Sequence, residues 1–273
     1  MSELATAEPT PDAPEDLGRP EGQRSPLRTF LRYAGMPVAL GLILLTLYLW
    51  VQSQELGSVE ARRLTADVIR TQTLRHIELT ALSTFFVLIL AVPLGIIATR
   101  RATQRFAPTI IGLGNAGQAI PSLGLLALLY YLFREVDALP STGIVPVVVA
   151  LTAYSFLPIL RNTMVGLQQV DESILEAGRG MGMSEWLVLR RIEMPLAIPV
   201  ILAGVRTALV LNVGTAALAF LFGAGGLGGI IFQGFQLRRT PVLMTGAILV
   251  AVLALLIDYL AGLVEEKLTP RGL

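Results

Sequence analysis

Residues 79–99 read LTALSTFFVLILAVPLGIIAT, a run of twenty-one residues without a charged side chain. An α-helix rises about 1.5 Å per residue, so about 20 apolar residues cross the hydrocarbon core of a bilayer. Uncharged runs of similar length occur at 33–51, 106–133, 138–160, 194–222 (interrupted only by Arg206) and 240–257. These runs predict an all-α integral membrane protein with about six transmembrane helices.

The composition excludes several classes of function. The chain has 273 residues, of which 53% are hydrophobic and 15% charged, and this balance is unlike that of soluble proteins. A net charge of +1 without a basic stripe argues against a nucleic-acid partner. Without cysteine, and with His76 as its single histidine, the chain is expected to hold no metal. His76 lies beside Arg75 at the start of a run and is predicted to be an interfacial residue.

The arginines and lysines of the loops predict the orientation in the membrane, because cytoplasmic loops carry an excess of them. Thirteen lie in segments predicted to be on the same side of the membrane as the N-terminus: Arg19, Arg24, Arg28, Arg32, Arg100, Arg101, Arg105, Arg161, Arg179, Arg190, Arg191, Lys267 and Arg271. Seven lie in segments on the other side: Arg62, Arg63, Arg70, Arg75, Arg134, Arg238 and Arg239. We therefore expect both termini in the cytoplasm, although the four arginines of the 52–75 loop count against this.

Polar residues inside the runs are candidates for a transport pathway. Asn115, Gln118 and Asn212 stand among glycines and prolines, which either pack helices closely or break them around a polar path. Arg206 lies inside a predicted span, where a charge must pair, reach the interface or face water. It is either an anchor or a pathway residue, and Asp258 is either a proton relay or an interfacial residue.

Residues 223–228, GAGGLG, match the spacing G-x-G-x-x-G in form. A dinucleotide site also needs a preceding strand, a following helix and an acid about 20 residues on. Here a membrane helix precedes the motif, and residues 242–257 contain no acid. The glycines are therefore predicted to let the chain bend and pack closely. Because no Walker A sequence occurs either, the chain is not expected to bind ATP.

A polar island follows the fourth run. Ser173 and Glu176 have the spacing of a capping box, which predicts a short helix beginning at this point. Three glycines, at 178, 180 and 182, then predict a break, and Ser184 predicts a second helix before Pro195. Three interpretations fit such a two-helix elbow. It inserts into a groove on a partner, it packs on its own bundle, or its arginines contact lipid headgroups.

The spacing of Glu176-Ala177, Gly182, Ile192 and Pro195 resembles the EAA loop of ABC importer permeases: E-A-A, three residues, G, nine residues, I-x-L-P. The departures are Gly178 for the second alanine and Met194 for leucine. The resemblance implies the type I ABC importer permease fold, with a coupling loop at 170–195 that docks on a cytoplasmic ATPase. The residues implied in coupling are Ser173, Ile174, Leu175, Glu176, Ala177, Gly178, Arg179, Gly180, Met181, Gly182 and Met183.

The likeness extends over residues 74–262. The segments QAIPSLGLLAL from Gln118, LPILRNT from Leu157 and PLAIPVILAGVR from Pro195 resemble the osmoprotectant branch of this family. That resemblance implies import of glycine betaine, choline, carnitine or related quaternary ammonium compounds. It also implies a second permease subunit, an extracytoplasmic substrate-binding protein and ATPase subunits that hold ATP and Mg, in the bacterial inner membrane. The chain itself is then neither an enzyme nor the holder of a cofactor.

The chain is accordingly divided into a disordered cytoplasmic tail (1–32), an extra transmembrane helix (33–51) and a permease domain (74–264). The tail is rich in Pro, Glu and Asp, a composition that cannot bury enough apolar surface to fold. Because aromatic faces attract quaternary ammonium groups, Tyr154, Tyr130, Tyr131 and Phe156 join the pathway candidates. The alternatives are a methionine or other amino-acid permease, a proton-coupled secondary transporter that uses Asp258, and a membrane scaffold.

Overall fold

The computed structural model describes residues 26–136 and 139–268, and these two ranges contain no strand. Their α-helices are α1 (Pro26–Gln52), α2 (Ser58–Arg63), α3 (Ala66–Thr99), α4 (Ala107–Ala119), α5 (Ser122–Arg134), α6 (Ile144–Gln168), α7 (Glu172–Gly180), α8 (Glu185–Val188), α9 (Met194–Ala216), α10 (Gly228–Gln236) and α11 (Thr240–Leu268). Short 3-10 turns cover Gln104–Phe106 and Ala219–Phe222, and a π-helical segment at Leu189–Glu193 joins α8 to α9.

The predicted membrane protein is confirmed, with one span differing in form. Within the described ranges, five helical stretches are long and apolar enough to cross a bilayer: Tyr33–Gln52, Ala66–Thr99, Ile144–Gln168, Glu185–Ala216 and Thr240–Leu268. The run at 106–133, predicted as one span, consists of two helices bent by 102° at a short break. The break falls at Ile120, whose extended backbone precedes Pro121. Proline disfavours helical conformation in the residue before it, and this explains the break.

Several predicted boundaries also move. α3 begins at Ala66, where Thr65 caps it, because the polar residues 66–78 continue the helix beyond the apolar run at 79–99. The run at 138–160 becomes α6, displaced toward the C-terminus, and α11 extends well past residue 257. Residues 26–32, assigned to the disordered tail, are helical as part of α1. Residues 1–25, the rest of that tail, lie outside the described residues.

The bundle is centred on α6, which packs against α3 on one side and α9 on the other. Small residues allow these close approaches. A Cβ built on Gly204 would stand 2.9 Å from the carbonyl oxygen of Pro158, and one on Gly95 would stand 2.8 Å from the Cβ of Thr163. Small residues at such crossings are typical of helices that pack within membranes. α11 packs against α9, and α1 lies along α11, where the Tyr33 hydroxyl donates to Glu266.

The two ends of the bundle are formed by different segments. At one end, the C-terminus of α3 meets residues 171–193, which include α7 and α8 and are named the elbow. At the opposite end lies the glycine loop, residues 223–228, where the predicted bend and close packing are confirmed. Three of its glycines have positive φ angles, between 77° and 100°. At Gly228 a Cβ would stand 1.7 Å from the carbonyl oxygen of Ala217, so no side chain fits there.

His76 lies beneath the glycine loop and not at an interface, so that prediction is wrong. Its side chain is fully buried. The amide N–H of Leu227 donates to its Nδ1 at 3.3 Å, which leaves Nε2–H to donate to the carbonyl oxygen of Val213 at 2.9 Å. His76 lies on the face of α3 that points into the bundle, near the C-terminal end of α9. No local sequence pattern predicts this burial.

Candidate coupling elbow and pathway residues

The first helix of the elbow starts earlier than the predicted capping box. Asp171 is the N-cap of α7, and its Oδ1 accepts from the amide N–H of Ser173 at 2.9 Å. This hydrogen bond lowers the pKa of the Asp171 carboxyl. Ser173 and Glu176 therefore lie inside the helix, and the capping-box prediction is wrong. Aspartate caps a helix as well as serine does, and here it stands two residues earlier.

The first helix ends at one glycine, not three. Gly182 has a φ of 81°, and its amide donates to the carbonyl of Arg179 at 2.9 Å. The amide of Met183 donates to the carbonyl of Gly178 at 3.2 Å, which completes a Schellman cap. Gly178 and Gly180 belong to α7 and do not break it.

Gly178 lies in a close contact between two segments of the elbow. A Cβ at this position would stand 2.7 Å from the Cδ1 of Ile192, because α7 lies directly on the π-helical segment. The departure from the E-A-A pattern at this position thus accompanies a close helix–helix contact. The second predicted helix is confirmed as α8, where the hydroxyl of Ser184 accepts from the amide of Leu187 at 3.4 Å. Pro195 stands in the first turn of α9, where proline is tolerated.

Ionic contacts fix the two elbow helices to each other. The guanidinium of Arg179 donates to Glu172 and to Glu185, each at 2.9 Å. The hydrogen bond to Glu185 and then that to Glu172 raise the pKa of Arg179. Arg179 therefore ties the start of α7 to the start of α8. Among the residues predicted for coupling, Leu175 and Gly178 are buried, and Arg179 and Met183 are half-buried.

The remaining predicted coupling residues are exposed, and several are apolar. Ile174 is 45% exposed and Met181 is 72% exposed, with exposed Ala177 between them on the same helical face. Trp186 on α8 is 68% exposed. The sequence analysis did not include it, although a lone tryptophan within a polar island indicates a surface contact. We name Ile174, Ala177, Met181 and Trp186 the elbow patch. Large exposed apolar side chains on a short polar segment are typical of an interaction site.

A buried ion pair at the last residue of the elbow was also missed. The carboxylate of Glu193 accepts from Nη1 of Arg100 at 2.9 Å and from its Nη2. Glu193 is 2% exposed, and it stands at the end of the π-helical segment while Arg100 caps α3. Its sequence signal was an acid directly before Met194-Pro195, where the polar island gives way to an apolar run.

The predicted pathway residues do not converge on one site. Asn115 is exposed and accepts from Arg161 at 3.0 Å, and Gln118 donates to the carbonyl of Tyr154 at 3.1 Å, so these lie together between α4 and α6. Asn212 is fully buried on α9 and donates to the hydroxyl of Thr84 at 3.3 Å, on the other side of the bundle.

Arg206 is a third, separate location. Its guanidinium holds both carboxylate oxygens of Asp258, and Glu265 lies 3.7 Å away. These contacts join α9 to α11 near the elbow end. Over residues 26–136 and 139–268, no group of three or more His, Asp or Glu is placed to hold a metal ion.

Comparison with known proteins identifies the family of this chain. Residues 91–270 match the family described as binding-protein-dependent transport system inner membrane component. The glycine betaine/carnitine/choline transport system permease protein OpuCB of Bacillus subtilis is 42% identical over 202 residues, 74% of this chain and 89% of that protein. The osmoprotectant import permease protein OsmY of Salmonella typhimurium is 38% identical over 243 residues, 89% of this chain and 98% of that protein.

The fold is also similar to a solved permease. An inward-facing structure of the MetNI methionine ABC transporter superposes with a TM-score of 0.66 at 24% identity, over 76% of this chain and all of that one. At this identity the likeness concerns the fold alone. Taken with the match over residues 91–270 and the relatives above, it leads to one conclusion: the chain belongs to the family of binding-protein-dependent transport system inner membrane components, the multi-pass permease subunits of ABC importers.

Proposed function

We propose that this chain forms the translocation pathway of an ATP-driven importer of osmoprotectants such as glycine betaine, choline or carnitine. The observation that carries the proposal is the identity of 38–42% to permeases of that named function over most of their length. The methionine alternative rests on a likeness of fold at 24% identity, which carries no information about the solute.

The elbow is the contact we assign to the ATPase. The elbow patch is exposed, while Leu175 and Gly178 are buried and Gly178 packs on Ile192 of the π-helical segment. A short capped helix with apolar side chains suits a groove on a soluble partner. ATP and Mg bind to that partner, and closure of the ATPase dimer moves the elbow. The bundle responds because a ligand shifts a conformational equilibrium only through contacts that differ between the two states.

Orientation and further partners follow from the same proposal. The elbow lies in the cytoplasm, as do both termini, in agreement with thirteen basic residues on that side against seven on the other. The glycine loop then faces outward, toward an extracytoplasmic substrate-binding protein. A second permease subunit, identical or related, completes the pathway across the bilayer.

We assign pathway contacts to Asn115, Gln118 and Tyr154. They lie close together between α4 and α6, next to the break at Pro121, where irregular backbone is tolerated beside a polar path. Arg206 and Asn212 have partners on neighbouring helices, and we assign them to holding α9 in place. Selectivity for the solute resides mainly in the binding protein.

Reconstitution tests the proposal. The chain is co-expressed with candidate ATPase and substrate-binding subunits from the same organism, and the complex is placed in liposomes. We expect uptake of radiolabelled glycine betaine or choline that needs internal ATP and is competed by other quaternary ammonium compounds. Competition by methionine alone would favour the amino-acid alternative. Uptake that persists without ATP and collapses with the proton gradient would contradict the proposal.

A further inference from the structure

The Arg100–Glu193 ion pair joins the C-terminus of α3 to the π-helical segment that leads into α9. Glu193 is almost fully buried, and both of its carboxylate oxygens bind the guanidinium of Arg100, which is 31% exposed. A buried carboxylate keeps its charge only with a hydrogen-bonded partner. A bidentate arginine–carboxylate pair also fixes the relative orientation of its partners. The end of α3 and the turn before α9 are therefore held in one geometry.

The elbow reaches this pair without a flexible link. Glu193 is the last residue of the π-helical segment, in which the amide of Met194 donates to the carbonyl of Leu189, five residues back. The residue before it, Ile192, is the one against which α7 packs at Gly178. Single π-turns inside α-helices mark functional sites more often than chance allows. A displacement of α7 thus acts on Ile192 and, one residue on, on Glu193.

The other end of α3 holds the glycine loop. One face of α3 carries Gln72, Arg75 and His76, at the i, i+3 and i+4 spacing that places side chains together. All three bind backbone atoms of the loop: Gln72 accepts from the amide of Gly226 at 2.8 Å, Arg75 donates to the carbonyl of Ala224 at 2.8 Å, and His76 accepts from the amide of Leu227 at 3.3 Å. With 34 residues, α3 is about 50 Å long and links both ends of the bundle.

Building on the proposed function, we infer that Arg100 and Glu193 are positioning residues that transmit movement of the elbow to α3. α9 receives the same movement directly, since it continues from the π-helical segment. α3 receives it through this ion pair, through the packing beside it and through an exposed contact of 3.7 Å between Arg101 and Glu172. Because the other end of α3 binds the glycine loop through hydrogen bonds, the pair links the nucleotide state of the ATPase to the outward-facing end of the permease.

Charge reversal and its repair test the inference in the reconstituted importer. The variants are Arg100→Glu, Glu193→Arg and the double exchange, with Arg105→Glu, an exposed arginine at the same end of the bundle, as the matched control. The readout is solute transported per ATP hydrolysed. We expect each single reversal to retain ATPase activity and to lower this ratio at least tenfold. The double exchange should return it to within about threefold of the parent, and the control should leave it unchanged.

A milder variant covers the case in which a reversed charge prevents assembly. Glu193→Gln keeps the shape of the side chain and loses its charge, and we expect a ratio about threefold below the parent. Two results would overturn the inference. One is a Glu193→Gln variant with the same ratio as the parent, and the other is a double exchange that assembles yet has a ratio as low as the single variants. Absence of ATP-dependent uptake in the parent would contradict the proposed function instead, so the two failures are distinguishable.

A second readout follows the glycine loop itself. The chain has no cysteine, so Thr71→Cys adds a single reactive group. This position is exposed and lines a cavity of about 510 Å³ between α3 and the glycine loop. We expect its maleimide labelling rate to change at least threefold between the nucleotide-free and vanadate-trapped complexes. Arg100→Ala should abolish that change without altering the nucleotide-free rate. The same nucleotide-dependent change with Arg100→Ala would show that the pair does not transmit the movement.

Discussion

A Cβ on Gly178 would stand 2.7 Å from the Cδ1 of Ile192, so the first elbow helix packs directly on the segment that leads into α9. The obstructing atom is the end of a flexible side chain. Alanine, the residue of the E-A-A pattern, also favours a helix over glycine by about 0.5–1 kcal/mol. We therefore expect Gly178→Ala alone to lower uptake no more than about threefold. Gly178→Leu should lower it at least tenfold.

The matched control for that substitution removes the obstructing atom. Ile192→Val deletes Cδ1, so Gly178→Ala combined with Ile192→Val should transport at the parent rate. Uptake and retention of the ATPase on affinity-purified permease are the two measurements. A Gly178→Leu variant with normal uptake would show that α7 does not depend on this contact.

Gly182 and Gly180 form a second matched pair. Gly182 has a φ of 81°, a conformation that costs an alanine about 1–2 kcal/mol. Gly180 is helical, with nothing within 4 Å of a built Cβ. We expect Gly182→Ala to reduce ATPase retention several-fold. Gly182→Asn should reduce it less because asparagine tolerates this conformation, and Gly180→Ala should leave it unchanged. Equal effects of the two alanine variants would contradict the role of the Schellman cap.

The elbow patch should carry the affinity for the ATPase. Met181→Glu or Trp186→Glu places a charge in the centre of an apolar contact, and we expect at least tenfold weaker binding of the purified ATPase to permease in nanodiscs. Phe235→Glu provides the control, because Phe235 is as exposed as Trp186 but lies near the glycine loop. Binding that falls equally in all three variants would indicate general destabilisation and not a docking surface.

Arg206 and Asp258 should stabilise the packing of α9 on α11. The side chains are 41% and 29% exposed, between a surface pair and a fully buried one. Removing one partner, as in Arg206→Leu, should therefore destabilise the permease by roughly 1–2 kcal/mol. The double variant Arg206→Leu with Asp258→Leu leaves no unpaired charge and should recover most of that loss. Thermal unfolding of the purified permease measures both effects. A double variant less stable than either single one would show that the charges themselves are required.

Local sequence signals predicted much of the fold and part of the site. Uncharged runs located the spans because the bilayer acts on each stretch through its own hydrophobicity. Ser184 and Gly182 located the second helix and the end of the first, since caps act within a few residues. Two local signals were misread: Asp171 precedes Ser173 as a cap, and Pro121 breaks the run at 106–133.

The sequence by itself determined that this is an all-α membrane protein with a polar elbow between its spans, because hydrophobicity, caps and glycine conformation act over short distances along the chain. Only the tertiary structure decided which side chains meet: Arg100 with Glu193, His76 with the glycine loop, and Arg206 with Asp258. These partners are 52 to 151 residues apart, and helix packing alone brings them together. A charge or imidazole within an apolar stretch signals that a partner is needed, but its identity depends on which helices are neighbours.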